Sequence, residues 1–353
     1  MGLVARDRAT GRGMTRAEGI DAFLGRSGWR GAGRFPLPGD ASARRYERIR
    51  DGGRRAILMD VPPESGLTVD PFIAVTQYLR ANGFSAPEIL EASADDGLLL
   101  IEDLGDALLA RLCAEAPARE ADLYAAAIDT LAAFHALRPP DPVGDWTAPP
   151  YDMGVLTREA RLVLEWYVPG VSERPVSADL AAEYEALMLE AFAPVAEDRS
   201  GPVYRDYHAE NLIRLPKRAG VAGIGLLDYQ DLLIGHPAYD VVSLLGDARR
   251  DIAPDLARAM LDRYLARSGL ERDGFVAAAH VLGAQRNLKI MGLFTRLCRR
   301  DGKARYIELL PRVWRLLVAD LEHPDLARLS EWVRRNVPPP DATAMARLGG
   351  AAA

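Results

Sequence analysis

Residues 203–228 read VYRDYHAENLIRLPKRAGVAGIGLLD, and this stretch constrains the fold more than any other in the chain. Leu212–Leu215 and Ile224–Leu227 are short apolar runs separated by PKRAGVAG at 216–223. Apolar runs joined by a Pro- and Gly-containing turn predict an antiparallel hairpin. The out-and-back path would return Asp228 beside Asn211, 17 positions earlier, with Asp206 five positions before that. Each of these residues alone reads as a cap or turn residue. Their shared arrangement around two apolar strands makes that bland reading the weaker one.

Phosphoryl transfer asks little of a protein: a group to orient or deprotonate the attacking hydroxyl, oxygen ligands for Mg²⁺, and cover for the phosphates. Magnesium is hard and takes carboxylate and amide oxygens while keeping several waters. Asp206 suits the hydroxyl, and Asn211 and Asp228 suit the metal.

Composition sets the frame. A chain of 353 residues with 49% hydrophobic content is long enough for two packed lobes or one large domain. Its formal net charge of −6 argues against a non-specific nucleic-acid binder, which displaces counterions with a basic face. Two cysteines far apart, Cys113 and Cys298, argue against a disulfide framework or a cysteine zinc site and point to a reducing, cytoplasmic setting. The opening residues MGLVARDRATGRGMTRAEG lack the apolar centre of a signal peptide, and no stretch is long and apolar enough to suggest a membrane span.

Patterning predicts an α+β, bilobal chain. Residues 15–28 read as a helix; Tyr46–Ile49 and Arg55–Val61 flank DGGRR as one hairpin; EILEASADDGLLLIEDLG reads as a second. A helix is expected from about Asp70, with Pro71 in its first turn and Gly83 at its end. From 107 onward Ala- and Leu-rich helical periodicity dominates, and after Pro254 it is nearly continuous to about Arg335. The expected divisions are a tail and helix over 1–24, a nucleotide-binding N-lobe over 25–104, a catalytic and acceptor-binding C-lobe over 105–338, and a disordered tail over 339–353.

Asp206-Tyr207-His208-Ala209-Glu210-Asn211 resembles the D-x-H-x-x-N loop of the aminoglycoside phosphotransferase and choline kinase superfamily, relatives of protein kinases. The resemblance spans roughly residues 30–330. It implies a protein-kinase-like bilobal fold, ATP and Mg²⁺ as cofactors, Asp206 as the catalytic residue, and Asn211 and Asp228 as metal ligands. It also implies structural support from His208 and from Asp240 in HPAYDVVSLLGD. GDASARRYERI, ILMDVPPES, LLLIEDLG, LDYQD, YDVVSLLGD and QRNLKIMGLFTRL are similar to a sugar-kinase branch that phosphorylates N-acetylmuramate and N-acetylglucosamine at C1 in cell-wall recycling. That likeness implies an amino-sugar partner and carries over Asp231, in LDYQD, as a substrate contact.

The sequence departs from the superfamily at two places. Tyr204 stands where a histidine usually opens the catalytic loop, and Ala56-Ile57-Leu58-Met59-Asp60 carries no phosphate-pairing lysine. The helix at 70–82 offers no glutamate to pair with one. Arg44, Arg45 and Arg48 are the candidate substitutes, since a guanidinium holds phosphate oxygens through two donors. Ser42, in the turn before them, and Arg45 are the expected phosphate contacts. Glu102, Asp103 and Leu104 are the expected adenine-reading hinge. From Gln285 to Arg305 there are seven basic residues and one acid, which suits an anionic acceptor; most of the run reads as solvated surface, and Arg286 is the expected carboxylate partner. Glu159 and Trp166, on an expected helix with Tyr167, suit a sugar ring. The rival readings are a kinase of another acceptor, such as an aminoglycoside, choline or an amino alcohol, and a non-catalytic nucleotide-binding regulator.

Overall fold

A computed structural model describes residues 15–39 and 43–350. Ser42 therefore lies outside the described residues. The chain divides into two units, residues 1–70 with 88–103 and residues 71–87 with 104–353.

The first unit begins with α1 (Arg16–Arg26), whose start is set by a reciprocal cap: Thr15 accepts from the Glu18 amide while Glu18 accepts from the Thr15 amide. An antiparallel sheet follows, built from β1 (Gly33–Pro36), β2 (Arg45–Asp51), β3 (Arg54–Asp60), β4 (Ile89–Ser93) and β5 (Leu98–Glu102) in the order β1-β2-β3-β5-β4. The DGGRR and ADDG turns close the two expected hairpins, and Gly97 in the second has φ +65°, the left-handed region that favours glycine. Strand alternation sends Ile49, Ala56, Leu58, Leu98 and Leu100 to one face, where they bury Ile20, Phe23 and Leu24 of α1. Each of the larger side chains contributes about 1.5–3 kcal/mol by leaving water.

The second unit is mainly helical. It takes in nearly all of α2 (Asp70–Ala81), then α3 (Leu109–Glu115), α4 (Glu120–His135), α5 (Met153–Ala160), α6 (Val168–Ser172) and α7 (Ala178–Ala196). Two short hairpin pairings carry the loop region, β7 (Leu212–Arg214) with β8 (Ile224–Leu226), and β6 (Gly201–Val203) with β9 (Leu233–Gly235). Helices α8 (Ala238–Leu245), α9 (Pro254–Ser268), α10 (Arg272–Arg299), α11 (Leu310–Asp320), α12 (Ala327–Asn336) and α13 (Ala342–Gly349) complete it. The class is the expected one, α+β with a small antiparallel β N-lobe and a larger, mainly helical C-lobe. No helix among the described residues is long and apolar enough to cross a membrane.

Two features differ from the sequence reading. The segment after Pro338 was expected to be a disordered tail; instead Asp341 caps α13 by accepting from the Ala344 amide, and Leu348 is fully buried. The helix expected to carry Glu159, Trp166 and Tyr167 widens over Val163–Tyr167, where the Val168 amide bonds back to Val163. Pro169, which has no N–H to give the regular ladder, follows directly.

Helix α10 is buried along most of its length and forms the axis of the second unit. It comes close to the chain at Leu162: a Cβ added at Gly292 would stand 2.1 Å from the Leu162 carbonyl. Gly292→Ala is therefore expected to cost about 3 kcal/mol of folding stability, because a backbone group rather than a flexible side chain must yield. Denaturant unfolding checks this, and a loss under about 0.5 kcal/mol contradicts the packing.

Candidate active site

The 203–211 segment is held from below by Asp240 on α8, which is fully buried. Its carboxylate accepts from two successive amides, Tyr204 N–H at 2.6 Å and Arg205 N–H at 2.7 Å. His135 at the end of α4 donates through Nε2 to the same carboxylate at 3.0 Å, and its Nδ1 meets the Tyr264 hydroxyl of α9 at 2.8 Å. Presenting two consecutive N–H groups to one acceptor turns the backbone sharply, and Arg205 takes φ +78°. For a non-glycine residue this costs about 1 kcal/mol or more, which the two charge-assisted bonds offset.

Asp206 follows that turn, partly exposed, and its carboxylate accepts no hydrogen bond from any described residue. Asn211 donates from Nδ2 to the Asp206 carbonyl at 2.9 Å, which turns its Oδ1 away from the loop backbone. His208 is buried. Its Nε2 meets two donors, Asn211 Nδ2 at 3.4 Å and Arg249 Nη1 at 3.3 Å, so it accepts and the ring is neutral. Burial, with the Arg249 charge beside it, pushes the His208 imidazole down to about 3.

The hairpin of β7 and β8 delivers Asp228 as its spacing predicts. The Leu227 amide donates to the Asn211 carbonyl at 3.0 Å, so Asn211 and Asp228 end adjacent strands. The Tyr204 hydroxyl also bonds the Leu227 carbonyl, at 2.6 Å, tying the loop opening to the residue before Asp228. Asp228 has φ +60° and an exposed carboxylate whose Oδ1 accepts from Gln230 Nε2 at 2.7 Å. Tyr229 beside it is held by α2, through Thr76 at 2.7 Å between hydroxyls and a tilted ring contact with Phe72. Asp231 is exposed.

Glu159 has a different setting from the one expected. Its Oε1 is shared by Arg205 Nη2 and Lys289 Nζ, the latter at 2.9 Å, and its Oε2 accepts from the Tyr151 hydroxyl at 2.7 Å and Gln285 Nε2 at 3.3 Å. Burial opposes the charged carboxylate, yet Lys289 and Arg205 outweigh it and hold Glu159 at about 2. Lys289 is likewise opposed by burial and raised by Glu159. The Tyr151 and Tyr239 rings stand 4.9 Å apart, with Arg205 over the first and Lys289 over the second. Sequence reasoning missed this cluster. Gln285 and Lys289 lie one turn apart on α10, and their apolar neighbours 288, 290 and 291 were the signal that the stretch is not solvated surface.

Arg286 is also buried, at 5% exposure, and donates to the Gly246 carbonyl at 3.4 Å. It acts electrostatically on His208 and does not join Lys289. Trp166 is half-buried in the widened turn.

In the first unit, Arg48 forms an ion pair with Asp103 at 2.9 Å. Arg44 is buried, whereas Arg45 is exposed with no ion pair among the described residues. An open cavity of about 510 Å³ is lined by Leu37, Arg44, Arg45, Tyr46, Glu64 and Ser65. At the expected hinge, the Glu102 amide is taken by the Glu88 carbonyl at 2.8 Å. The Leu104 backbone has no hydrogen bond among the described residues. Asp60, at the end of the strand that lacks a lysine, accepts from Arg16 Nε at 3.0 Å.

The arrangement resembles known proteins along most of its length. A family model described as "Phosphotransferase enzyme family" matches residues 35–276. An N-acetylmuramate/N-acetylglucosamine kinase of Caulobacter vibrioides is 40% identical, over 90% of this chain and 95% of its own. The protein of the same name from Pseudomonas aeruginosa is 34% identical, over 84% and 86%. A choline kinase from Streptococcus pneumoniae, 12% identical, shares the fold with a TM-score of 0.58, over 86% of this chain and all of its own. On these grounds the chain belongs to the phosphotransferase enzyme family.

Proposed function

We propose that this chain is an ATP- and Mg²⁺-dependent kinase that phosphorylates the anomeric hydroxyl of N-acetylmuramate and N-acetylglucosamine. The observation that carries the reading is the Asn211 Nδ2 bond to the Asp206 carbonyl, with the Leu227–Asn211 backbone bond beside it. Together they leave the Asp206 carboxylate without a hydrogen bond among the described residues and bring Asn211 and Asp228 to neighbouring strand ends. The substrate class is supported by the 40% and 34% identical relatives, both named for these sugars.

Asp206 accepts or orients the proton of the attacking hydroxyl. An unbonded carboxylate, reached by a sharp turn and fixed from below, is suited to that task. Asn211 and Asp228 hold Mg²⁺, since an all-oxygen pair of one amide and one carboxylate is the kind of set the ion takes alongside phosphates and waters. Bound Mg²⁺ supplies neutralisation of charge on the β- and γ-phosphate oxygens. Arg45 takes the place of the absent lysine as a phosphate contact, with Ser42 three positions before it in the sequence, and Leu104 offers backbone groups for an adenine edge. Asp231 and Trp166 are the remaining acceptor contacts. His208 and Asp240 support the loop, and Arg286 joins them as support, its burial leaving it little surface for an acceptor carboxylate.

ATP turnover with Mg²⁺ across N-acetylmuramate, N-acetylglucosamine, choline and kanamycin tests the reading. Sugar-dependent ADP release is expected, with kcat lowered about 10³-fold by Asp206→Asn. Turnover of choline or kanamycin alone replaces the acceptor class, and ATP binding without any turnover supports the regulatory reading. Arg45→Gln is expected to raise the KM for ATP on the order of 10-fold while leaving the sugar KM unchanged, as loss of a charge-assisted phosphate contact requires. An unaltered KM for ATP removes Arg45 from the site.

A further inference from the structure

The cluster around Glu159 carries more positive charge than it neutralises. Arg205 and Lys289 bring two cations, and Glu159 is the one carboxylate bonded to both. All three side chains are largely buried, with exposures of 19%, 14% and 12%. A buried surplus charge is costly unless a counter-charge is near. Tyr151, Tyr239 and Gln285, which complete the cluster, are neutral. Asp206 is the further carboxylate that acts on both cations, and it follows Arg205 directly in the chain.

We propose that Glu159 and Lys289, through Arg205, form a positioning unit for Asp206, in which the surplus cation is balanced by the Asp206 carboxylate and fixes its orientation. The proposal rests on the reading of Asp206 as the catalytic residue. It assigns Glu159 away from sugar binding, because both of its oxygens are already engaged by protein donors. Arg205 is the mechanical link: its guanidinium is held by Glu159 and its amide by Asp240, so the residue before Asp206 is fixed at both ends. Lys289 completes the charge count from α10, 130 residues away from Glu159.

A merely structural role lowers stability and leaves the kinetics of the folded fraction intact. A positioning role predicts a split. Lys289→Met is expected to lower kcat on the order of 10²-fold with the KM values for sugar and ATP nearly unchanged, and Lys289→Arg is expected to recover most of the loss. A raised sugar KM at unchanged kcat overturns the proposal, since Lys289 is then a substrate contact.

A second readout needs no substrate. In the parent chain Asp206→Asn leaves the surplus cation unbalanced and lowers the melting temperature. In the Lys289→Met background there is no surplus, and the same change is expected to lower it no further. Equal shifts in both backgrounds overturn the proposal. Should Lys289→Met fail to fold, Tyr151→Phe removes one donor to Glu159 without altering any charge. It is expected to lower kcat several-fold at constant KM, and an unaltered kcat overturns the proposal. Absence of sugar turnover by the parent chain sinks the functional reading while leaving the melting cycle readable, so the two failures are distinct.

Discussion

One buried carboxylate governs the geometry of the second unit. Asp240 has no exposure to water, so its charge must be met by protein donors, and it collects three: the amides of Tyr204 and Arg205 and the imidazole of His135. Removing one partner of such a buried group typically costs about 3–5 kcal/mol, whereas the fully satisfied set is stable and rigid. The consequence is directional. Both amides point inward at one residue, and Asp206, which follows them, is partly exposed. The left-handed backbone of Arg205 is thus a product of the buttress and not an isolated defect.

A second consequence concerns the absent lysine. In a chain of this pattern, an ion pair between the third strand and the following helix is the expected way to fix that helix. Here α2 carries no glutamate and β3 no lysine. Phe72 and Thr76 of α2 instead grip Tyr229, the residue next to Asp228. The helix is fixed by an aromatic contact and a hydroxyl pair inside its own unit, which accounts for Pro71–Pro87 grouping with the helical part of the chain. Tyr204 works in the same style. Where the family usually has histidine, its phenol spans to Leu227 and joins the two halves of the loop region.

These same residues mark the boundary of what the sequence makes legible. The hairpins, the helix from Asp70 and the return of Asp228 to Asn211 were readable because their signals are local: a turn residue, an alternation, a short spacing. The setting of Glu159 was not, because its two cationic partners lie 46 and 130 positions away and their side chains meet only after α5, α10 and the loop are packed. Lys289 was hidden in the same way, and Arg286, expected as a carboxylate partner, is buried too. Both belong to a run rich in basic residues, and both are taken inside by a helix that is buried along most of its length. The last helix was hidden for a different reason: PPPDATAMARLGG carries prolines and glycines that suggest disorder, while the decisive features are one Asp cap and one buried leucine.

The fate of Glu159 also bears on how an acceptor is recognised. A carboxylate that binds sugar hydroxyls must keep an oxygen lone pair facing open space, and its charge must be available to strengthen those bonds. Glu159 keeps neither, since four protein donors occupy it and two of them are cations. Reading a carboxylate as a ligand contact from residue type alone therefore fails where cations outnumber acids nearby. Asp231 and Asp228 differ in setting: both are exposed, and Asp228 Oδ1 accepts from the Gln230 side-chain amide. Local charge balance, more than residue identity, separates an acid such as Glu159, held by cations inside the protein, from an acid such as Asp231, left open to solvent.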